Sequence, residues 1–303
     1  MNTNQKAIEM FEQNEHEDAM ELFQQAVYES RDVQSLNNLA WMYLYEEDDN
    51  DKALELAKEA VNLNPSSHFP YSILGEIYMK QERWKEAKEA LRNSILIQPT
   101  NEAHHNLGIA YYNLGELEQA ADFFLQAAGD SDYTMYNYIK CLIDLGQTSK
   151  AKEKLDNFND KAEDFVGEMD VADLYVEMNG YKEAIQWYEK GYKEFGKSPY
   201  WIGRFVYALF KTNSLSRMNE VIKEAIQEKE VEIEDVKKEE VEENWTENDK
   251  NELIEKYMEE NNQYIEMIEL ISSGFVPPLD FEMYSTGACY LFGCKRHNHP
   301  EYQ

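Results

Sequence analysis

Residues 68–100, HFPYSILGEIYMKQERWKEAKEALRNSILIQPT, decide how this chain folds. Tyr71, Leu74, Gly75 and Tyr78 recur at i, i+3, i+4 and i+7, the spacing of one face of an α-helix. A polar break, Lys80-Gln81-Glu82-Arg83, separates them from Ala87, Leu91 and Ser94, which mark a second amphipathic stretch. Pro99 cannot continue that second helix and restricts Gln98 before it. The stretch reads as helix, turn, helix, stop.

The same unit returns along the chain. Ala19, Ala53, Ala87, Ala120, Ala151 and Ala184 are separated by 34, 34, 33, 31 and 33 residues, and Met218 takes the next slot 34 further on. A period of that size marks stacked helical hairpins rather than a globular enzyme fold. The unit after the first has Leu107, Gly108, Tyr111, Gly115, Ala120, Phe124 and Ala127. Gly108 and Ala120 stand where two helices approach closely, with Tyr111 and Phe124 expected to fill the space between hairpins. These residues resemble the tetratricopeptide repeat, whose pattern of Leu-Gly, Tyr, Ala, Phe, Ala and Pro they match in order.

Other units stay in register with it. Leu39-Ala40 and Tyr43 lead to Ala53, Ala57, Ala60 and Pro65, with one extra residue in the acidic turn Glu46-Glu47-Asp48-Asp49. Leu142, Gly146, Ala151 and Leu155 follow, then Tyr175, Gly180, Ala184, Tyr188 and Gly191. The end units are degenerate, as terminal repeats are expected to be. The resemblance implies an all-α fold, a right-handed α-solenoid of about seven tetratricopeptide-like hairpins over residues 1–227. Residues 228–245 read as an acidic linker or charged helix. Residues 246–303 read as a C-terminal capping helix and a short irregular tail holding Cys and His. Thr246 and Asp249 form a helix-start pair there, and Ile254, Tyr257, Met258, Ile265, Ile268 and Ile271 an apolar stripe.

Composition narrows the class. With 303 residues, 43% of them hydrophobic, and only 13 Gly and 7 Pro, disorder is not expected. The N-terminal residues lack an apolar signal segment and no run is long enough to span a membrane, so neither export nor membrane binding is expected. Three cysteines do not make a disulfide framework, which suits a reducing cytoplasmic location. The net charge of −31 argues against nucleic acid and favours a basic protein or peptide partner. The same acidity also serves solubility.

In the tetratricopeptide family the first helix of each hairpin lines a concave groove where partners lie. The resemblance carries that role to Asn38, Trp41, Ser72, Glu76, His105, Asn106, Ile109 and Tyr112. Further along it falls on Tyr136, Asn137, Lys140, Asp170, Asp173 and Tyr207. Asn38, Asn106 and Asn137 share one slot, and a carboxamide both donates and accepts, as reading a partner's backbone requires. Local packing within the repeat is the alternative reason for an asparagine there. The Lys/Arg/Asn set that grips a terminal carboxylate in some family members is missing, since Lys140 alone does not build it.

One cluster carries metal chemistry. Cys289, Cys294, His297 and His299 are zinc-type ligands spaced C-x4-C-x2-H-x-H within eleven residues, tighter than structural zinc sites usually are. A turn-rich tail with packed cysteines is the alternative. Otherwise no cofactor is implied. There is no phosphate loop, nucleophile elbow or HExxH helix, Cys141 reads as core, and no enzyme is expected. The leading reading is a protein-interaction adaptor. One alternative is an acidic immunity or antitoxin-type protein neutralising a basic toxin such as a nuclease; another is a peptide-sensing regulator. The surplus of like charge repels itself in the folded chain and is screened by salt. The melting temperature is therefore expected to rise from low to moderate NaCl in a calorimetric scan; a flat or falling trend contradicts this.

Overall fold

Every hairpin turn passes through one residue in the left-handed region. In the computed structural model, which describes residues 2–129, 131–242 and 244–296, these residues are Asn14, Asp48, Glu82, Gly115, Gly146, Asn179 and Asn213. Their φ angles lie between 50° and 74°, and each stands five residues before the small repeat residue, from Ala19 to Met218. In five of these turns the amide after the left-handed residue donates to the carbonyl five residues back: Glu15 to Met10, Arg83 to Tyr78, Glu116 to Tyr111, Gly180 to Tyr175 and Ser214 to Leu209. This is the hydrogen-bonded helix ending that a left-handed residue permits. The acidic turn with its extra residue reaches one further, from Asp49 to Tyr43 at 2.8 Å.

The described residues form fifteen helices in two compact units. The first unit takes the residues up to 146 and those from 283 onward. It contains α1 (Thr3–Glu12), α2 (His16–Glu29), α3 (Val33–Tyr45), α4 (Asn50–Asn62), α5 (Phe69–Lys80), α6 (Trp84–Ile97), α7 (Asn101–Asn113), α8 (Leu117–Ala127) and α9 (Asp132–Asp144). Asn2, Asp32, Asp49, Thr100 and Ser131 start α1, α3, α4, α7 and α9, each side chain accepting from the amide three residues on. Each helix packs on the next, and α1, α3, α5 and α7 also meet one another in order, forming an inner layer. Ala19, Ala53, Ala87 and Ala120 have no exposed surface.

Close approach is enforced by glycine. A Cβ on Gly108 would lie 2.8 Å from Phe124 Cε1, and one on Gly75 would lie 2.7 Å from Leu91 Cγ. Phe124 thus fills its own hairpin, between α7 and α8, rather than the space between hairpins that the spacing suggested.

The second unit, residues 147–282, contains α10 (Thr148–Leu155), α11 (Glu168–Glu177), α12 (Tyr181–Gly191), α13 (Pro199–Lys211), α14 (Leu215–Lys238) and α15 (Glu247–Ser272). The acidic stretch begins as helix, since α14 runs unbroken to Lys238 and buries Lys229, Ile233 and Val236. Lys229 Nζ lies 2.5 Å from Glu232 and 2.8 Å from Glu260 of α15. Thr246 and Asp249 form a reciprocal capping box at the start of α15. That helix packs on α13 and α14 through Tyr264, Met267 and Ile271, while Met258 and Ile265 face outward. The expected stripe mixed two faces because apolar residues surround this acidic helix. No helix among the described residues is long and apolar enough to cross a membrane.

A left-handed turn residue bearing a side chain is strained by about 1–2 kcal/mol, and glycine is not. Exposed Glu82 and exposed Gly115 occupy equivalent turns. Glu82→Gly is expected to raise urea stability, and Gly115→Ala to lower it, by about 1 kcal/mol each. Shifts of the same sign in the two variants would contradict the turn analysis.

Candidate functional site

The inner layer of the first unit is occupied. Residues 284–296 of the chain itself run along it, opposite in direction to the repeats, from α9 and α7 to α1. The inner helices hold this segment largely by its backbone. Asn106 Nδ2 donates to the Thr286 carbonyl at 2.9 Å, and the Thr286 amide donates back to Asn106 Oδ1 at 2.9 Å. Asn38 does the same two hairpins away, with 3.2 Å to the Phe292 carbonyl and 2.8 Å from the Phe292 amide. Asn37 Nδ2 donates to the Tyr290 carbonyl at 2.7 Å. Both Asn38 and Asn106 are fully buried.

His105 holds the start of the segment. Its Nε2 is 3.2 Å from the Tyr284 carbonyl and its Nδ1 is 2.9 Å from the Thr134 hydroxyl. Nε2 therefore donates to the carbonyl while Nδ1 accepts from the hydroxyl, which is the neutral imidazole. Burial lowers the His105 pKa and favours that form. The Tyr284 amide donates to the Tyr133 hydroxyl at 2.5 Å.

Tyr290 is the buried anchor. It is 2% exposed, with its ring 5.4 Å from Phe69 and 6.2 Å from His68. Its hydroxyl shares hydrogen bonds with Ser72 and Glu76. Glu76 also accepts from the Tyr45 hydroxyl. Burial pushes the Glu76 carboxyl up to about 8, against hydrogen bonds from Tyr45 and Tyr290 and the charge of Lys80, all of which lower it. Asn106 Nδ2, 3.5 Å away, and the Glu102 charge complete its surroundings. Phe292 packs on Phe69 at 5.1 Å, and Leu291 is fully buried. The segment ends in cations: Lys295 reaches Glu9 at 3.3 Å, and Arg296 donates to the Glu12 carbonyl.

The remaining candidates divide. Trp41 is buried against Phe11 and Tyr45 at 5.3 and 5.0 Å, and its indole N–H has no hydrogen-bond partner among the described residues. Ile109 is wholly buried, and Tyr136 is buried. Lys140 is paired with Asp144 at 2.6 Å, and Tyr112 donates to the same carboxylate at 2.8 Å. Asn137 is fully buried and neither end of its carboxamide has a hydrogen-bond partner among the described residues.

Asp170, Asp173 and Tyr207 belong to the second unit. Asp173 is bound by Arg204 Nε at 2.7 Å, by the Tyr200 hydroxyl at 3.0 Å and by the Tyr188 hydroxyl. Arg204, itself 1% exposed, also bonds Glu177 and the Pro277 carbonyl, so this carboxylate is spent inside the chain. Asp170 is half-buried, and Tyr207 packs edge-on against Tyr181 at 5.8 Å.

Of the metal candidates, Cys289 and Cys294 share a sulfur hydrogen bond, and burial pushes the Cys289 thiol up to about 12. His297 and His299 lie outside the described residues. Among those described, no three His, Cys, Asp or Glu side chains are grouped to hold a metal ion. The sequence reading did not single out Asn37, Tyr45, His68 or the groove-filling residues Thr286, Tyr290 and Phe292. The Asn37-Asn38 pair and the apolar run Tyr290-Leu291-Phe292 were the available signals.

Comparison with known proteins agrees with the repeats. Residues 102–129 match the tetratricopeptide repeat, and residues 7–111 match the Chs5p-Arf1p-binding proteins. Anaphase-promoting complex subunit 3 of Schizosaccharomyces pombe is 26% identical over 118 residues, 38% of this chain and 17% of that protein. The peroxisomal targeting signal receptor of Saccharomyces cerevisiae is 27% identical over 85 residues, 28% of this chain and 14% of that protein. The chain thus spans less than a fifth of either relative's length. The solved C-terminal part of a tetratricopeptide-repeat protein from Cytophaga hutchinsonii superposes with a TM-score of 0.59 at 16% identity, covering 74% of this chain and 94% of that one.

Glu76 gives the site a pH signature. A carboxyl that keeps its proton to about pH 8 when folded, against 4.5 when free, leaves stability intact below about 4.5. Stability is then lost as pH rises towards 8, by at most about 1.4 kcal/mol per pH unit. Glu76→Gln, which keeps an acceptor for Tyr45 and Tyr290, removes that loss. Urea titrations are expected to show the variant gaining on the wild type between pH 5 and 8 and levelling above. A gap that stays constant with pH would mean Glu76 is ionised in the folded chain.

Proposed function

We propose, from the premise that the chain is built of tetratricopeptide-type repeats, that it is an interaction scaffold whose first unit holds an extended, basic-ended segment of a partner protein. The carrying observation is the pair of carboxamides, Asn38 and Asn106, each holding one residue's amide and carbonyl together. Such contacts ask only that the bound chain be extended. The segment they hold supplies a template for the partner: an aromatic in the Glu76 pocket, a second aromatic two residues on, and cations three and four residues after that. A net charge of −31 favours fast capture of basic segments. A relative from Saccharomyces cerevisiae is a peroxisomal targeting signal receptor, and reception of a signal borne by another protein is in keeping with this reading.

Panning a random-peptide display library on the full chain tests this. Enriched peptides are expected to carry an aromatic at i and i+2 with Lys or Arg near i+5 and i+6. Asn106→Ala is expected to weaken them about tenfold or more, since it removes two hydrogen bonds of about 1 kcal/mol each. Added salt should weaken them further. Enrichment without that pattern, or binding indifferent to Asn106, sinks the reading.

A further inference from the structure

The groove is filled by the chain's own segment, yet one of its three equivalent carboxamides is unused. Asn38, Asn106 and Asn137 occupy the same slot, immediately before the first-helix pair Leu39-Ala40, Leu107-Gly108 and Tyr138-Ile139. Two of them grip Phe292 and Thr286, six residues apart for two hairpins, which is three residues of bound chain per hairpin. Continuing that step one hairpin from Asn106 brings position 283 to Asn137. The carboxamide there is fully buried with both its donor and its acceptor unpartnered among the described residues. Burying such a group without partners is unfavourable, and a bound backbone would relieve it.

We propose that residues 284–296 are a resident, displaceable occupant that keeps the groove closed, and that a partner's segment replaces them by also engaging Asn137. This rests on the reading of the groove as a peptide site. The resident grip is suited to exchange. Its carboxamide contacts read backbone and are therefore open to any extended chain. At its cationic end Lys295 pairs with Glu9 at the exposed rim, where salt weakens the pair, while Glu12 is met by the Lys295 amide and by Arg296 through its backbone carbonyl. The part specific to the resident is Tyr290 in the pocket of Phe69, His68, Ser72 and Glu76. A competitor that fills this pocket and presents backbone to Asn137, which the chain's own Met283 does not, holds all three same-slot carboxamides where the resident holds two. It leaves the chain's own segment free to signal that the groove is engaged.

Hydrogen exchange on the unmodified full chain gives the first test. The Thr286 and Phe292 amides are expected to exchange at least tenfold faster than those of Ile109 and Ala110 in α7. Exchange of both groups at one rate means the segment leaves only when the unit unfolds, and overturns the proposal. The second test adds a labelled synthetic peptide of residues 284–296 and a copy with four alanines added at its N-terminus. Tyr290→Ala is expected to bind both at least tenfold more tightly than the wild type. Thr286→Pro, which removes the amide and the hydroxyl that donate to Asn106, serves if Tyr290→Ala loses its helical circular dichroism.

Equal affinity in wild type and opened chain overturns the displaceable occupant. In the opened chain, Asn137→Ala should weaken the extended peptide about tenfold and leave the shorter one unchanged; an equal effect on both removes Asn137 from the proposal. Library panning repeated on the opened chain keeps the two readings apart. Open segment amides with no foreign binders remove the partner reading alone. Foreign binders on a chain whose segment amides stay locked remove the displacement alone.

Discussion

Where α7 meets α8, the ring of Phe124 lies against Gly108 in the place a side chain would take. That approach fixes the rotation of α7 about its own axis. An α-helix turns about 100° per residue, so the residue two before the glycine points about 200° away from α8. That residue is Asn106. The same geometry sets Asn38 behind Ala40, and Asn137 holds the equivalent slot before Tyr138-Ile139. A packing requirement inside the hairpin thus turns that slot to the opposite, inner face, and a carboxamide fills it in the second, fourth and fifth hairpins. The left-handed turn residue five positions before each repeat alanine supports it, by returning the second helix at a constant offset.

Carboxamides in that position are neutral, donate and accept together, and match one amide and one carbonyl of an extended chain. They are costly when buried unpaired, and two of the three are paired by the chain itself. The pairing explains how three residues as apolar as Tyr290, Leu291 and Phe292 lie buried outside any helix. Their backbone polar groups are answered by Asn37 and Asn38 instead of by a helical ladder. Glu76 is tolerated in the same layer because it can remain protonated beneath the two tyrosine hydroxyls.

The hairpins were legible because their constraint is local: a small residue, a turn and an apolar face recur at one period, and each is written in consecutive residues. The backbone-reading role of Asn38 and Asn106 was legible as a capability, since slot and side-chain chemistry are both local. The identity of what they hold was not. Thr286 and Phe292 stand 180 and 254 residues from their asparagines, and no period links a tail to a groove. The tail read as irregular for the reason that makes it groove-filling, an extended backbone without repeating hydrogen bonds of its own. Asp173 shows the converse error of transfer by slot. Its position suited a groove, but Arg204, Tyr188 and Tyr200 enclose it, and no pattern within one repeat reveals a buried arginine 31 residues away.

On the proposed reading, backbone contacts and charge divide the labour of recognition between them. Two or three carboxamides select for extended chain and against helix, yet they distinguish no sequence. The exposed Lys295–Glu9 pair contributes at most about 1 kcal/mol and is screened by salt, so on the proposed reading the acidic surplus acts mainly on the rate of encounter. On that reading discrimination falls to the Tyr290 pocket, where an aromatic ring fills the space beside Phe69 and its hydroxyl answers Glu76 and Ser72. A phenylalanine in that place would leave the buried Glu76 carboxyl short of a donor, and a site built around a hydroxyl rejects its absence more strongly than a missing methylene. On the proposed reading, preference for tyrosine over phenylalanine would come from the Glu76 side chain, and would weaken on replacing Glu76 by an apolar residue of similar volume.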